Sequence, residues 1–100
     1  MQVEGCLTQG LGYALMEHIR FRSGDILDRN FNTFQIPRFS DLPEIETVLV
    51  PNDDLTPQGG GEPAIVCIGA VIANAIYDAC GSRVFTMPFT PESVLAGMKT

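Results

Sequence analysis

PQGGGEP at residues 57–63, running directly into AIVCIGAVIANAIYDACG at residues 64–81, joins a glycine loop, one carboxylate and a strongly apolar helix. Pro63 suits the first helical position because its fixed φ and missing N–H cost nothing there, which puts Glu62 at or next to the N-cap. Glutamate is a poor cap compared with Ser, Thr, Asp or Asn, so a role beyond capping is the natural question. Three glycines let another molecule approach the backbone closely, with the carboxylate projecting into a cavity. The competing reading is a flexible turn that happens to precede a helix. The helix itself is expected over residues 63–80. Residues 64–73 carry no polar side chain, and Asn74 and Asp78 then appear one turn apart on a single side. A helix apolar around its circumference is surrounded by protein or lipid. The apolar run is short of the roughly 20 residues that a bilayer requires, which favours protein. A 100-residue domain can hardly enclose such a helix on every side, so the chain is expected to sit inside something larger.

Upstream, residues 2–19 read as a helix in which Val3, Leu7, Leu11, Ala14, Leu15 and Ile19 keep one face apolar. Gly5, Gly10 and Gly12 oppose it, each costing up to about 1 kcal/mol in a helix interior. At roughly 100° per residue, Gln2, Gly5, Gln9 and Gly12 share a sector of about 80°, a strip of two amides and two bare backbone patches on which an object could lie. The alternative is a helix crossing in which the glycines admit a neighbouring element and the glutamines face solvent.

Between the helices, residues 17–21 and 25–27 flank Arg22-Ser23-Gly24 as a hairpin. Residues 30–39 form an irregular extended stretch, and Pro43 introduces a strand at residues 45–50. Gly81 is a helix C-cap, residues 83–87 are extended, and Thr90-Pro91-Glu92 caps and starts a last helix. The expected fold class is therefore α+β: helix, β-hairpin and strand, long buried helix, short C-terminal helix. Tyr13, Phe31, Phe34 and Phe39 are assigned to core packing, His18 to a surface position, and Asp53 and Asp54 to a solvated loop.

The formal net charge of −6, with only six Lys and Arg, argues against nucleic acid or anionic lipid as partners. Cys6, Cys67 and Cys80 sit in apolar segments and suit buried thiols in a reducing, cytoplasmic compartment. Neither a CxxC pair nor a second histidine is present, so no protein-held metal is expected, and any iron–sulfur cluster belongs on another polypeptide.

The ordered set QVEGCLTQGLG at residues 2–12, FNTFQIPRFSDLPEIE at residues 31–46, GGGEP at residues 59–63 and MPFTPESV at residues 87–94 resembles the C-terminal part of the molybdenum-binding subunit of the xanthine dehydrogenase and aldehyde oxidase family. IANAIYDACGSRV at residues 72–84 is most similar to the isoquinoline 1-oxidoreductase β-subunit branch. The resemblance implies that residues 1–100 are an incomplete, C-terminal portion of a molybdopterin-binding domain, inactive alone. It implies a molybdenum hydroxylase that oxidises an aldehyde or N-heterocyclic aromatic at carbon with water as the oxygen source. Glu62 corresponds to the family's general base. Gln2 matches the glutamine that hydrogen-bonds the molybdopterin near the metal, and Gln9, Gly5, Gly10, Gly12 and Gly61 complete the cofactor-facing set. Implied partners are the rest of the molybdenum subunit, a subunit carrying two [2Fe-2S] clusters, and the small-molecule substrate. The pterin is expected in its cytosine dinucleotide form, and the compartment is periplasmic if the parent carries an export signal. A stand-alone oligomeric interaction module and a truncated gene product are the competing readings.

Overall fold

The computed structural model describes residues 1–98, so the end of the expected 1–100 domain lies outside the described residues. Helix α1 spans Gln2–Leu15 and a two-residue ladder pairs β1 (Phe21–Arg22) with β2 (Asp25–Ile26). A 3-10 turn at Phe39–Asp41, a second at Pro63–Ile65, α2 (Ile68–Cys80) and α3 (Pro91–Gly97) follow. The small core lies where α1 meets the C-terminal segment: Cys6, Leu11, Ala14 and Phe89 are buried, and the Phe89 N–H donates to the Ala14 carbonyl at 2.6 Å. The molecule is extended, with a radius of gyration of 16.5 Å against about 13 Å for a compact chain of this length.

Several local expectations hold. The ladder turns through Ser23 and Gly24, both at positive φ (51° and 86°), the left-handed pair that suits the twist of a two-residue hairpin loop. Gly81 takes the left-handed C-cap conformation at φ 74°, with its N–H on the Tyr77 carbonyl. The Thr90 hydroxyl accepts from the Ser93 N–H at 3.3 Å, capping α3 with Pro91 in its first turn.

Others are corrected. α1 ends at Leu15 instead of continuing to residue 19, because the N–H groups of Met16 and Glu17 both converge on the Gly12 carbonyl and the chain then turns away. The helix expected over residues 63–80 is divided: Pro63–Ile65 forms a single 3-10 turn, Val66 and Cys67 a further turn, and only Ile68–Cys80 is α-helical. Nor is it buried. No residue of α2 is fully covered, Val66 is 83% exposed and Val71 51%. Cys67 and Cys80 are exposed, leaving Cys6 as the one buried thiol among them. Phe31 and Phe39 stand in solvent and Tyr13 is partly exposed, against their assignment to the core. Residues 45–50 do not form the expected strand, since no segment among the described residues pairs with them in a ladder.

Candidate functional site

Glu62 occupies the N-cap position of the 3-10 turn Pro63–Ile65 at φ −123° and ψ −18°, and the Ile65 N–H donates to its carbonyl at 3.0 Å. Its backbone starts the turn while its side chain takes no part in capping. The carboxylate is exposed and has no hydrogen-bond partner among the described residues. Together with Gly59, Gly61, Pro63 and Val66 it lines a hollow of about 400 Å³.

The packing of α1 against the segment after Glu62 sets the position of that hollow. A Cβ added to Gly10 would lie 2.6 Å from Ile68 Cγ2 and 2.9 Å from Ile65 Cγ1, so only a bare backbone lets the two elements cross this closely. That crossing carries the N-terminal turn of α1 to the glycine loop. Gln2 Oε1 lies 3.8 Å from where a Cβ on Gly61 would stand, placing the amide beside the residue that precedes the carboxylate. Gly5, Gly59 and Gly60 have nothing within 4 Å of their own Cβ positions. An amide, a carboxylate and four uncluttered backbone positions thus share one end of the molecule.

The rest of the predicted strip is divided by the fold. Gly10 and Gly12 are buried and face inward: Gly10 admits α2, and Gly12 is covered by the Glu17 carboxylate and by Pro37 Cδ, 2.9 Å from its would-be Cβ. Both serve the helix-crossing alternative, and this chain's own side chains fill the space a ligand would need. Gln9 is exposed, and its Nε2 donates to the Tyr13 hydroxyl at 2.8 Å. Gln2, Gly5, Gly61 and Glu62 are the predicted residues that remain together and open.

Two electrostatic features escaped sequence reasoning. Asp28 is buried beside the hairpin and accepts from Arg20 three times, from its backbone N–H at 2.7 Å, Nε at 3.0 Å and Nη2 at 2.6 Å. The guanidinium bonds, then the backbone bond, hold its carboxyl well below the usual carboxylate range. The signal available was an arginine and an aspartate just outside the two ends of the hairpin, where their side chains meet across the strands. Glu17, folded over Gly12, has its pKa raised by burial. A roomier hollow of about 560 Å³ lies near His18, Arg20, Gln35 and Ser93, but Arg20 is committed to Asp28 and the Ser93 hydroxyl donates to the Thr90 carbonyl.

Residues 1–43 match the family described as molybdopterin cofactor-binding domain. Over 98 residues the chain is 38% identical to the membrane-bound aldehyde dehydrogenase [pyrroloquinoline-quinone] of Gluconacetobacter polyoxogenes, covering 98% of this chain and 12% of that protein. It is 35% identical to isoquinoline 1-oxidoreductase subunit beta of Brevundimonas diminuta, again over 98% of this chain and 12% of the relative. Quinoline 2-oxidoreductase from Pseudomonas putida 86 superposes with a TM-score of 0.78 at 23% identity, over 98% of this chain and 14% of its own, a likeness of fold. The chain therefore spans about an eighth of the length of these relatives.

Proposed function

With the chain's kinship to the molybdenum-binding subunits of the xanthine dehydrogenase and aldehyde oxidase family as premise, we propose that it supplies the general base and part of the cofactor cradle of a molybdenum hydroxylase. The substrate class is an aldehyde or an N-heterocyclic aromatic, oxidised at an electron-poor carbon with oxygen from water. The observation that carries this reading is the meeting of Gln2 with Gly61, which brings the Gln2 side-chain amide to the residue that precedes Glu62. Bound there, the molybdenum–molybdopterin group, proposed in its cytosine dinucleotide form, would supply the two-electron redox chemistry.

Each chain residue then has a defined task. Gln2 presents its amide to the cofactor, and the bare backbone at Gly5 and Gly61 allows close approach. Gln9 is the outlying candidate, available if its bond to Tyr13 is exchanged. Gly10 and Gly12 contribute indirectly, by holding α1 at the distance that brings Gln2 to the loop. Glu62 accepts a proton from the water-derived nucleophile as carbon gains oxygen. The balance is one water consumed, two protons and two electrons released, the electrons passing to an iron–sulfur partner subunit. A carboxylate is ionised near neutral pH and general-base assistance is worth about 10²- to 10⁴-fold.

The test is Glu62→Gln in the assembled enzyme. Molybdenum content and pterin content should stay at the unsubstituted level while turnover falls roughly 10²-fold or more. Undiminished turnover at full cofactor loading refutes the base assignment. Loss of the cofactor itself would instead assign Glu62 to binding.

A further inference from the structure

Residues 45–50, IETVLV, are rich in the β-branched and apolar types that favour strands. Yet the segment takes up no regular secondary structure, and none of residues 43–51 makes a backbone hydrogen bond to any described residue. Val48, Leu49 and Val50 are 77%, 82% and 83% exposed. Alternate residues of a strand point to opposite faces, so consecutive apolar residues at 48–50 place apolar groups on both, the pattern of a strand covered above and below. An open apolar edge of this kind is a template for another strand.

From this we infer that residues 45–50 become a β-strand by pairing with a strand edge of the remaining part of the molybdenum subunit, an inference that rests on the functional reading above. The surface area supports an occupant of that size. A folded chain of 10.9 kDa is expected to expose about 5,600 Å², whereas this one exposes 8074 Å². The surplus of about 2,500 Å² falls within the range of obligate interfaces, far above a transient contact. The face is also continuous, because Ile45 shares a groove of about 310 Å³ with Leu11, Ile68 and Val71, joining the unpaired segment to the uncovered side of α2. Protein is preferred to lipid because unpaired backbone, Glu44 beside the segment and Glu46 within it are costly in hydrocarbon, and α2 at 13 residues is about 20 Å long, short of a bilayer core. A larger subunit is preferred to a second copy because the relatives hold the matching piece as only 12–14% of their length.

Amide hydrogen exchange on the chain alone, and on the chain assembled with the remaining part of the molybdenum subunit, tests this directly. Amides 45–50 should exchange freely in the chain alone and slow by roughly 100-fold or more on assembly. Thr47→Pro and Val48→Pro delete donors that point to opposite edges of the strand. Neither donor is used within the chain, so both variants should keep the parent's far-ultraviolet circular dichroism, and at least one should weaken assembly roughly tenfold or more. The inference is overturned by fast exchange in the assembled subunit, by unaltered assembly of both proline variants, by protection of the isolated chain that grows with its concentration, or by protection that appears only with phosphatidylcholine vesicles. Its failure is distinct from failure of the base assignment, since Glu62→Gln reads turnover at intact assembly and the prolines read assembly itself.

Discussion

Replacing Gly10 by alanine sets a methyl carbon 2.6 Å from Ile68 Cγ2, 2.9 Å from Ile65 Cγ1 and 3.0 Å from Ile68 Cβ. Carbon atoms in contact stand about 3.5–4.0 Å apart, so the crossing of α1 and α2 must open by about 1 Å. Ile68 gives little by itself because a β-branched side chain has one strongly preferred rotamer in a helix. Overpacking of this kind costs about 1–3 kcal/mol. Against it stands the gain of up to about 1 kcal/mol from alanine over glycine in a helix. Gly5→Ala is the control: the same exchange in the same helix with nothing within 4 Å of the new carbon. Subtracting the two cancels propensity and isolates the crossing, so Gly10→Ala should be less stable than Gly5→Ala by about 1–3 kcal/mol. Native-state hydrogen exchange of the α2 amides, followed in the cofactor-free assembled subunit, reads this as opening roughly 5- to 150-fold more frequent in Gly10→Ala. Equal protection in the two variants would refute the close crossing, and with it the mechanism that brings Gln2 to Gly61.

Two further outcomes follow from buried Asp28 and half-buried Glu17. Asp28→Asn keeps the size of the side chain and gives up its charge, so the Leu27 amide, which donates to the Arg20 carbonyl at 2.9 Å, should exchange faster in the variant. Because the folded-state pKa of Asp28 is depressed, its stabilisation is present above the ordinary aspartate value of about 3.9 and is lost only as pH falls below it; the parent hairpin should loosen in strong acid while the Asp28→Asn variant lacks that step, and an identical acid profile would contradict the pairing. Glu17 has the opposite sign: its raised pKa gives stability that is present at low pH and lost as pH rises through the folded-state value. Glu17→Gln should be at least as stable as the parent at neutral pH, with the difference in urea midpoint vanishing toward about pH 4, and a variant less stable at neutral pH would assign the Glu17 charge a favourable partner.

What could be read from the residues was local. Gly81 after α2, and Thr90 with Pro91, each announce a boundary by stereochemistry that needs no tertiary partner, and both formed where expected, whereas Pro63 after Glu62 opened only a single 3-10 turn ahead of α2. The composition of residues 64–73 led to the expectation of an enclosed helix, but composition alone does not say what would enclose it, and α2 stays uncovered among the described residues. For residues 45–50 the pattern spelled a strand, but a strand exists only in pairs, and no partner among the described residues supplies one. At the site, angular spacing grouped Gln2, Gly5, Gln9 and Gly12, yet it could not tell which glycines face a neighbour. Gly12 is closed by Glu17, a residue outside the strip, and Gly10 by α2. The Arg20–Asp28 pair was hidden for a related reason: neither residue belongs to a motif, and their meeting depends on where the hairpin turns.

The bond from the Phe89 N–H to the Ala14 carbonyl gives the chain a timetable. As the polypeptide leaves the ribosome, α1 emerges before the group that fastens its far end, the Phe89 N–H, and before the buried Phe89 ring. The helix that presents Gln2 is therefore made before it is anchored, so loading of any prosthetic group against it must wait for Phe89.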